Sequence, residues 1–296
     1  MKKLFILILV LLPFCLFAQT ESAPMLLGRI SKDDLTKAPY NKWFDKEYNN
    51  YEVNRNVVEQ LKRLNLKDYT ITIFMGTWCG DTHRELPRFI KVLEQADVPS
   101  TKVEIVALNW GDGVHKQSPT GEERDKYIFK VPTFIISKNG KEINRIIEYP
   151  VESLERDLLS IVSGEKSSEL AYSPNCHSYP YLIKWIKGGT LTDKNVSVRS
   201  LADKIRHITK NASEIMAVGY VLCERGEKHQ AATLAKIAAL LFPETISYSS
   251  CAYMLSQNKE YEEALKMAKK YLVRNTSEKD VDKILELYDE IKTNLK

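Results

Sequence analysis

The sequence predicts an α/β unit, a central sheet flanked by helices, followed by an all-α unit of paired helices. Three observations carry this expectation. Between about residues 51 and 164, segments of period-2 and period-3.6 hydrophobicity alternate. From residue 181 to residue 296 only helical periods occur. Within that second half, two segments align at an offset of 33 residues. A chain of 296 residues is long enough for two domains.

The opening residues, 1–18, read as a secretory signal. Lys2 and Lys3 precede an apolar run from Leu4 to Phe17 that is too short to span a bilayer comfortably. Leu16-Phe17-Ala18 fits a cleavage site, so the mature chain is expected to start at Gln19. An uncleaved anchor is the alternative. Cys15 raises the question of lipid attachment, but Phe14 before it is bulky for such a site. The expected location is therefore exported, in the periplasm of a Gram-negative bacterium, with no membrane contact after cleavage.

Residues 19–50 read as a loose polar lead-in with some short helix. Val57, Val58, Leu61 and Leu64 recur at helical spacing within Val53–Leu64. Tyr69–Met75 alternates β-branched and aromatic residues as a strand does. Helical period returns over Asp81–Ala96 through Leu86, Phe89, Ile90 and Leu93, and Val103–Leu108 reads as a second buried strand. Gly111 to about Gly121 is punctuated as loop. Pro132–Ser137 is a third strand, Lys138-Asn139-Gly140 a hairpin turn, and Glu142–Glu148 the returning strand. Val151–Val162 closes the unit as an amphipathic helix. Residues 165–180 read as linker.

In the second half, Gly219-Tyr220-Val221-Leu222 aligns with Ala252-Tyr253-Met254-Leu255, and Gln230-Ala231 with Glu263-Ala264. The spacing, with Gly226 and Pro243, resembles a tetratricopeptide repeat; an irregular helical bundle is the alternative. Two repeats are few for independent stability, so Tyr181–Lys210 and Val281–Ile291 are expected to cap them.

The formal charge is +4, and about +2 once Lys2 and Lys3 leave with the signal. That is too mild to argue for nucleic acid. Four cysteines lie beyond the signal: Cys79, Cys176, Cys223 and Cys251. Their scatter shows neither a zinc spacing nor a small disulfide scaffold. No metal and no cofactor is expected.

The chemistry concentrates at Thr77-Trp78-Cys79-Gly80-Asp81-Thr82, where a strand ends and a helix begins. A helix N-terminus offers free N–H groups and positive potential, which favour a thiolate. Trp78-Cys79-Gly80, Pro87 eight residues after the cysteine, and Val131-Pro132-Thr133 before the hairpin together resemble the thioredoxin active site. The resemblance covers about Val53 to Gly164. It implies a thioredoxin-like fold and a cis peptide at Pro132. It implies catalytic positions at Cys79, Thr82 and Pro132, and a substrate groove from Trp78, Gly80, Asp81, Val131 and Thr133.

The departures define what chemistry remains. Thr82 stands where the family has its resolving cysteine, so an internal disulfide with that partner is unavailable. Ile73 stands where the family keeps a buried acid. Asp81 adds negative charge near the sulfur, opposing the helix dipole, and His83 lies one turn beyond. Asp81 is equally readable as capping or solvated surface; that reading is favoured for His83, whose alternative is to offset Asp81 when protonated. Cys176, beside His177, is a candidate alternative resolving thiol or an idle one, and Cys223 and Cys251 are expected in the core. Trp110 is expected either in the groove or in the core.

The sequence thus predicts a monothiol thiol-disulfide oxidoreductase acting on protein or peptide disulfides, with an external thiol reductant finishing the cycle. The alternative is a binding or client-trapping module that uses the groove, with a protein partner on the helical domain. A peroxidase ranks last, because Thr77 precedes Cys79 by two residues and not three.

Overall fold

The computed structural model describes residues 24–164, 176–244, 247–274 and 281–295. Strand β1 (Gly28–Ile30) is followed by helices α1 (Lys32–Leu35), α2 (Asn41–Asn50) and α3 (Arg55–Arg63). Strand β2 (Tyr69–Met75) leads through helix α4 (Gly80–Gln95) to strand β3 (Val103–Ala107). A long connection then reaches β4 (Thr133–Lys138), β5 (Lys141–Ile147) and helix α5 (Leu154–Ser163). The strands form one mixed sheet in the order β1-β3-β2-β4-β5. β2 and β3 run parallel; the other neighbouring pairs are antiparallel.

The alternation in β2 sorts its side chains between two layers. Ile71, Ile73 and Met75 join the larger core with Val57, Val58 and Leu61 of α3, Leu86, Phe89 and Leu93 of α4, and Leu154 and Leu158 of α5. Phe74 belongs instead to a small cluster with Val106, Leu108, Ile128, Val131 and Ile135, against which Trp78 and Cys79 pack. Burying one such aromatic side chain contributes roughly 2–3 kcal/mol. Local signals set the ends. Asn54 caps α3 by accepting from the Val57 N–H at 3.3 Å, and Ser153 caps α5 by accepting from the Arg156 N–H at 3.2 Å. Asn139 and Gly140 both have positive φ, 52° and 75°, as a two-residue hairpin turn requires.

The lead-in is more ordered than its composition implied. β1 pairs with the edge of β3, Gly28 opposite Ala107 and Ile30 opposite Ile105. Leu35 and Phe44 are buried in the larger core. An unpaired β3 edge would leave backbone groups open, and three residues suffice to cover it. The residues expected to be a signal, 1–18, lie outside the described residues. Among the described residues, no helix is long and apolar enough to cross a membrane.

Among the described residues seven helices follow: α6 (Tyr179–Lys187), α7 (Val198–Ile205), α8 (Ala212–Glu224), α9 (Lys228–Leu241), α10 (Tyr248–Gln257), α11 (Tyr261–Arg274) and α12 (Val281–Asn294). The turns within the α8–α9 and α10–α11 pairs repeat at the offset seen in the sequence. Glu227 N–H donates to Leu222 O at 2.9 Å, and Glu260 N–H to Leu255 O at 3.0 Å. Gly226 and Lys259 share the left-handed conformation, at φ 86° and 62°. Gly219 of α8 lets neighbouring helices approach: a Cβ there would lie 2.9 Å from Met254 Sδ and 3.5 Å from Leu234 Cβ. Leu201 and Ile205 of α7, and Ile284 and Ile291 of α12, are buried in the same core.

The linker expectation for residues 165–180 needs correction at its end. Residues 165–175 lie outside the described residues, but Cys176 and Tyr179 are buried and α6 begins at Tyr179. Their cluster also takes in Phe129 and Ile147 from the sheet half, with the Phe129 and Tyr179 rings 5.8 Å apart, edge to face. The two halves therefore share a hydrophobic contact. A Cys176 packed in this core does not ride on a free linker.

Candidate functional site

β2 ends at Met75, and the chain turns tightly before α4. Cys79 N–H donates to Gly76 O at 3.0 Å, and His83 N–H donates to Cys79 O at 3.0 Å. Cys79 is thus the extended residue that caps the start of a sixteen-residue helix. The aligned peptide dipoles place positive potential at this end. The Cys79 thiol is half-buried and donates to Val131 O at 3.1 Å. The Val131–Pro132 bond that follows is cis, and Pro132 and Thr133 are buried. Thr133 Oγ1 donates to Lys130 O at 2.7 Å and holds the approach to β4. The structure therefore brings Cys79, Val131 and Pro132 together from positions more than 50 residues apart.

Thr82 sits inside the protein. It is fully buried, and its hydroxyl accepts from Gly76 N–H at 3.4 Å, tying the helix to the end of β2. Gly80 is exposed, and a Cβ there would meet nothing within 4 Å. Gly76 is the glycine the turn needs. A Cβ on it would lie 2.6 Å from Trp78 Nε1 and 2.8 Å from Cζ2. Its absence lets the indole fold back and donate from Nε1 to Leu108 O at 2.9 Å.

The charges on the first turns of α4 and on either side of β4 are bridged, with Arg84 shared between Asp81 and Glu85. Asp81 is bridged by Arg84 at 2.9 Å, so its charge is answered within the helix. Lys130 and Glu148 form an ion pair at 2.6 Å. His83 is not solvated surface. Its Nε2 donates to Thr77 O at 2.7 Å, and its ring stacks on Trp43 with centroids 4.4 Å apart. Ile73 is fully buried in the larger core.

Sequence reasoning missed two residues at this end of the sheet, His115 and Lys116, within the stretch read as plain loop. Trp110 is 56% exposed, which rules out the core, and its ring lies 4.6 Å from Trp78. His115 is buried between these indoles and Tyr220 of α8, at 5.9, 4.6 and 5.1 Å between centroids. Lys116 Nζ lies 2.6 Å from His115 Nε2 and 5.9 Å from the Trp78 ring centre. Burial pushes the imidazole down to about 3, with the Lys116 charge adding to the effect. Burial also pushes the lysine down to about 8, against the opposing pull of Cys79 and Glu148. At neutral pH the pair is an ammonium donating to a neutral imidazole. The one sequence signal was Trp110-x₄-His115, an aromatic and a histidine in a glycine-punctuated loop.

The other thiols differ. Cys176, Cys223 and Cys251 are buried. Burial pushes Cys223 up to about 11 and Cys251 up to about 12. Among the described residues, no group of three or more His, Cys, Asp or Glu side chains is placed to hold a metal ion. No protein-family profile, curated protein or solved structure matches this chain.

Proposed function

We propose that this chain is a thioredoxin-like, monothiol thiol-disulfide oxidoreductase acting through Cys79, with a tetratricopeptide-like helical region attached. The observation that carries the reading is the half-buried Cys79 sulfur at the start of α4, 3.1 Å from Val131 O. A thiol so placed combines access with the positive end of a helix, the two requirements for exchange. In the reaction, the Cys79 thiolate attacks one sulfur of a client disulfide. The client S–S bond breaks, a Cys79–client mixed disulfide forms, and the second client sulfur leaves as thiolate. One thiol of an external dithiol then attacks the Cys79 sulfur of the mixed disulfide and releases the client as thiol, and its second thiol breaks the new bond, which frees Cys79 as thiol and leaves the dithiol oxidised to a disulfide. Thr82 has no sulfur to shortcut that second step. In this reading an extended client segment docks over the accessible Trp78, Gly80 and Asp81, and the buried Val131, Pro132 and Thr133 lie beneath as the floor of the groove.

One observation favours a second reading, a client trap. The other three described thiols are buried, so release of a captured client depends wholly on the external reductant. The proposal includes export of the chain, resting on Lys2-Lys3 and the apolar run to Phe17.

The test is reduction of a disulfide-bonded protein such as insulin, with dithiothreitol as donor. Wild type is expected to accelerate it, and Cys79→Ser to fall to the uncatalysed rate. Equal rates for the two proteins reject the enzyme. Dithiothreitol-sensitive adducts at Cys79 without acceleration select the trap.

A further inference from the structure

Beyond β3 the chain carries an indole into the open. Trp110 is 56% exposed, and Val114, which a Cβ on Gly111 would meet at 3.5 Å, is exposed as well. The Trp110 ring lies 4.6 Å from the Trp78 ring. Trp78 directly precedes Cys79, and both pack against the small cluster that holds Phe74 and Val131. An accessible apolar shelf therefore adjoins the sulfur. An exposed tryptophan forgoes burial that it gains wherever a partner covers it.

The loop that presents this indole is tied at its base and at its tip. Asn109 N–H donates to Gln117 O at 3.0 Å, Lys116 N–H to Asn109 O at 2.9 Å, and Gln117 N–H to Val114 O at 3.0 Å. The helical region grips the tip. Glu224 of α8 accepts from Gly113 N–H and from Tyr253 OH, and Gln117 Nε2 donates to Glu224 O at 3.4 Å. The Tyr220 ring stands edge-on to His115 at 5.1 Å, and His115 stands edge-on to Trp110 at 4.6 Å. A side chain held in place before its partner arrives loses little freedom on binding.

The chemistry at Cys79 decides what reaches this shelf. A mixed disulfide ties the client's cysteine to the Cys79 sulfur, and an extended chain advances about 3.3 Å per residue. The two or three residues beside that cysteine thus span roughly 7–10 Å, enough to cross the indole pair. We infer that Trp110, with Trp78 and Val114, takes an aliphatic or aromatic side chain next to the client's reacting cysteine, and that the helical region holds Trp110 in position through Glu224. The substrate class is then an extended polypeptide disulfide with apolar neighbours, in preference to one with polar neighbours. Trp110 determines specificity, and Glu224 is a positioning residue. The inference rests on the reading of Cys79 as the attacking sulfur.

The test uses the full chain and two peptides, each a symmetric disulfide dimer, that differ only beside the cysteine: Leu and Phe in one, Ser and Ser in the other. Attack by Cys79 forms the Cys79–peptide disulfide and releases the second peptide as thiolate; the adduct is timed by acid quenching and mass spectrometry. Wild type is expected to react about tenfold faster with the Leu-Phe peptide, the effect of covering roughly 55 Å² of apolar surface. Trp110→Ala is expected to bring that ratio down to about 2, and Trp110→Phe to keep most of it. Glu224→Ala is expected to lower the ratio about threefold by freeing Gly113. Each ratio is taken within one protein, so a loss of folded material cancels. Equal rates for the two peptides in wild type, or an undiminished ratio in Trp110→Ala, overturn the inference; an undiminished ratio in Glu224→Ala overturns the part given to the helical region. A second readout is tryptophan fluorescence of Cys79→Ser titrated with thiol-free forms of both peptides, where the Leu-Phe form should bind more tightly. That preference, with no adduct on Cys79 in wild type, overturns the exchange reading and leaves the shelf standing. Adducts on Cys79 at equal rates overturn the shelf alone.

Discussion

The sheet end and the helical core hold the same functional group in opposite settings. Cys251 is fully buried, with its sulfur 3.8 Å from Met216 Sδ and from Ala235 O. Its environment disfavours an anion, and the thiol serves as a small apolar packing unit. Cys79 sits half-buried at a helix start, with a carbonyl as its hydrogen-bond partner. The contrast teaches that placement decides what each thiol is available for: a helix terminus leaves Cys79 accessible, and a helix pair turns Cys251 into filler.

The largest expected effect tests that contrast directly. In the native protein at pH 8, Cys223, pushed up to about 11, has only about a thousandth of its sulfur as thiolate. Cys79 should therefore be alkylated at least ~100-fold faster than Cys223 or Cys251. Comparable rates, measured by peptide mapping after timed quenching, would erase the distinction.

Acid stability sharpens the comparison from the loop side. His115 lies at about 3 in the folded chain against an ordinary value of 6.5, chiefly from burial. The unfolded chain binds this proton first. The His115 contribution is therefore complete above pH 6.5 and is lost as pH falls toward 3. His115→Gln should flatten the stability profile across that window, by a few kcal/mol at its acid end. Urea titrations at stepped pH report it, and parallel profiles for the two proteins would contradict the burial argument.

The smallest effect compares two glycines in one turn. Gly76→Ala forces the rigid Trp78 ring aside and breaks its bond to Leu108 O, costing roughly 1–3 kcal/mol. Gly80→Ala meets nothing within 4 Å, and its effect should stay within about 0.5 kcal/mol. Tryptophan fluorescence should change in the first variant alone. Equal melting temperatures would refute the close approach.

What the sequence disclosed, and what it hid, follows from range. Tyr69–Met75 is a strand with the expected limits, because alternation is local and its neighbours break it. The start of α4 beside Cys79 and the Asn139-Gly140 turn were legible for the same reason. The repeat turns were legible because the same geometry recurs after 33 residues, at Gly226 and Lys259. β1 was not: three residues carry no period, and the strand exists because β3 offers an edge. His83 looked like surface because Trp43, which stacks on it, belongs to a separate helix. His115 and Lys116 were hidden most thoroughly. Their setting is assembled from Trp78, Trp110 and Tyr220, which meet only when the helical region folds against the loop. Cys176 read as linker because Ser and Pro surround it, whereas its burial depends on Phe129 and Ile147 from the other half.

The measurement that bears most directly on the central claim is capture of the exchange intermediate. The protein is incubated with oxidised glutathione, quenched with acid and mapped by mass spectrometry. The account predicts one glutathione per chain, carried on Cys79, abolished in Cys79→Ser and removed by dithiothreitol. Glutathione on another cysteine, or an unmodified Cys79 under conditions where a free thiol peptide reacts fully, would contradict it.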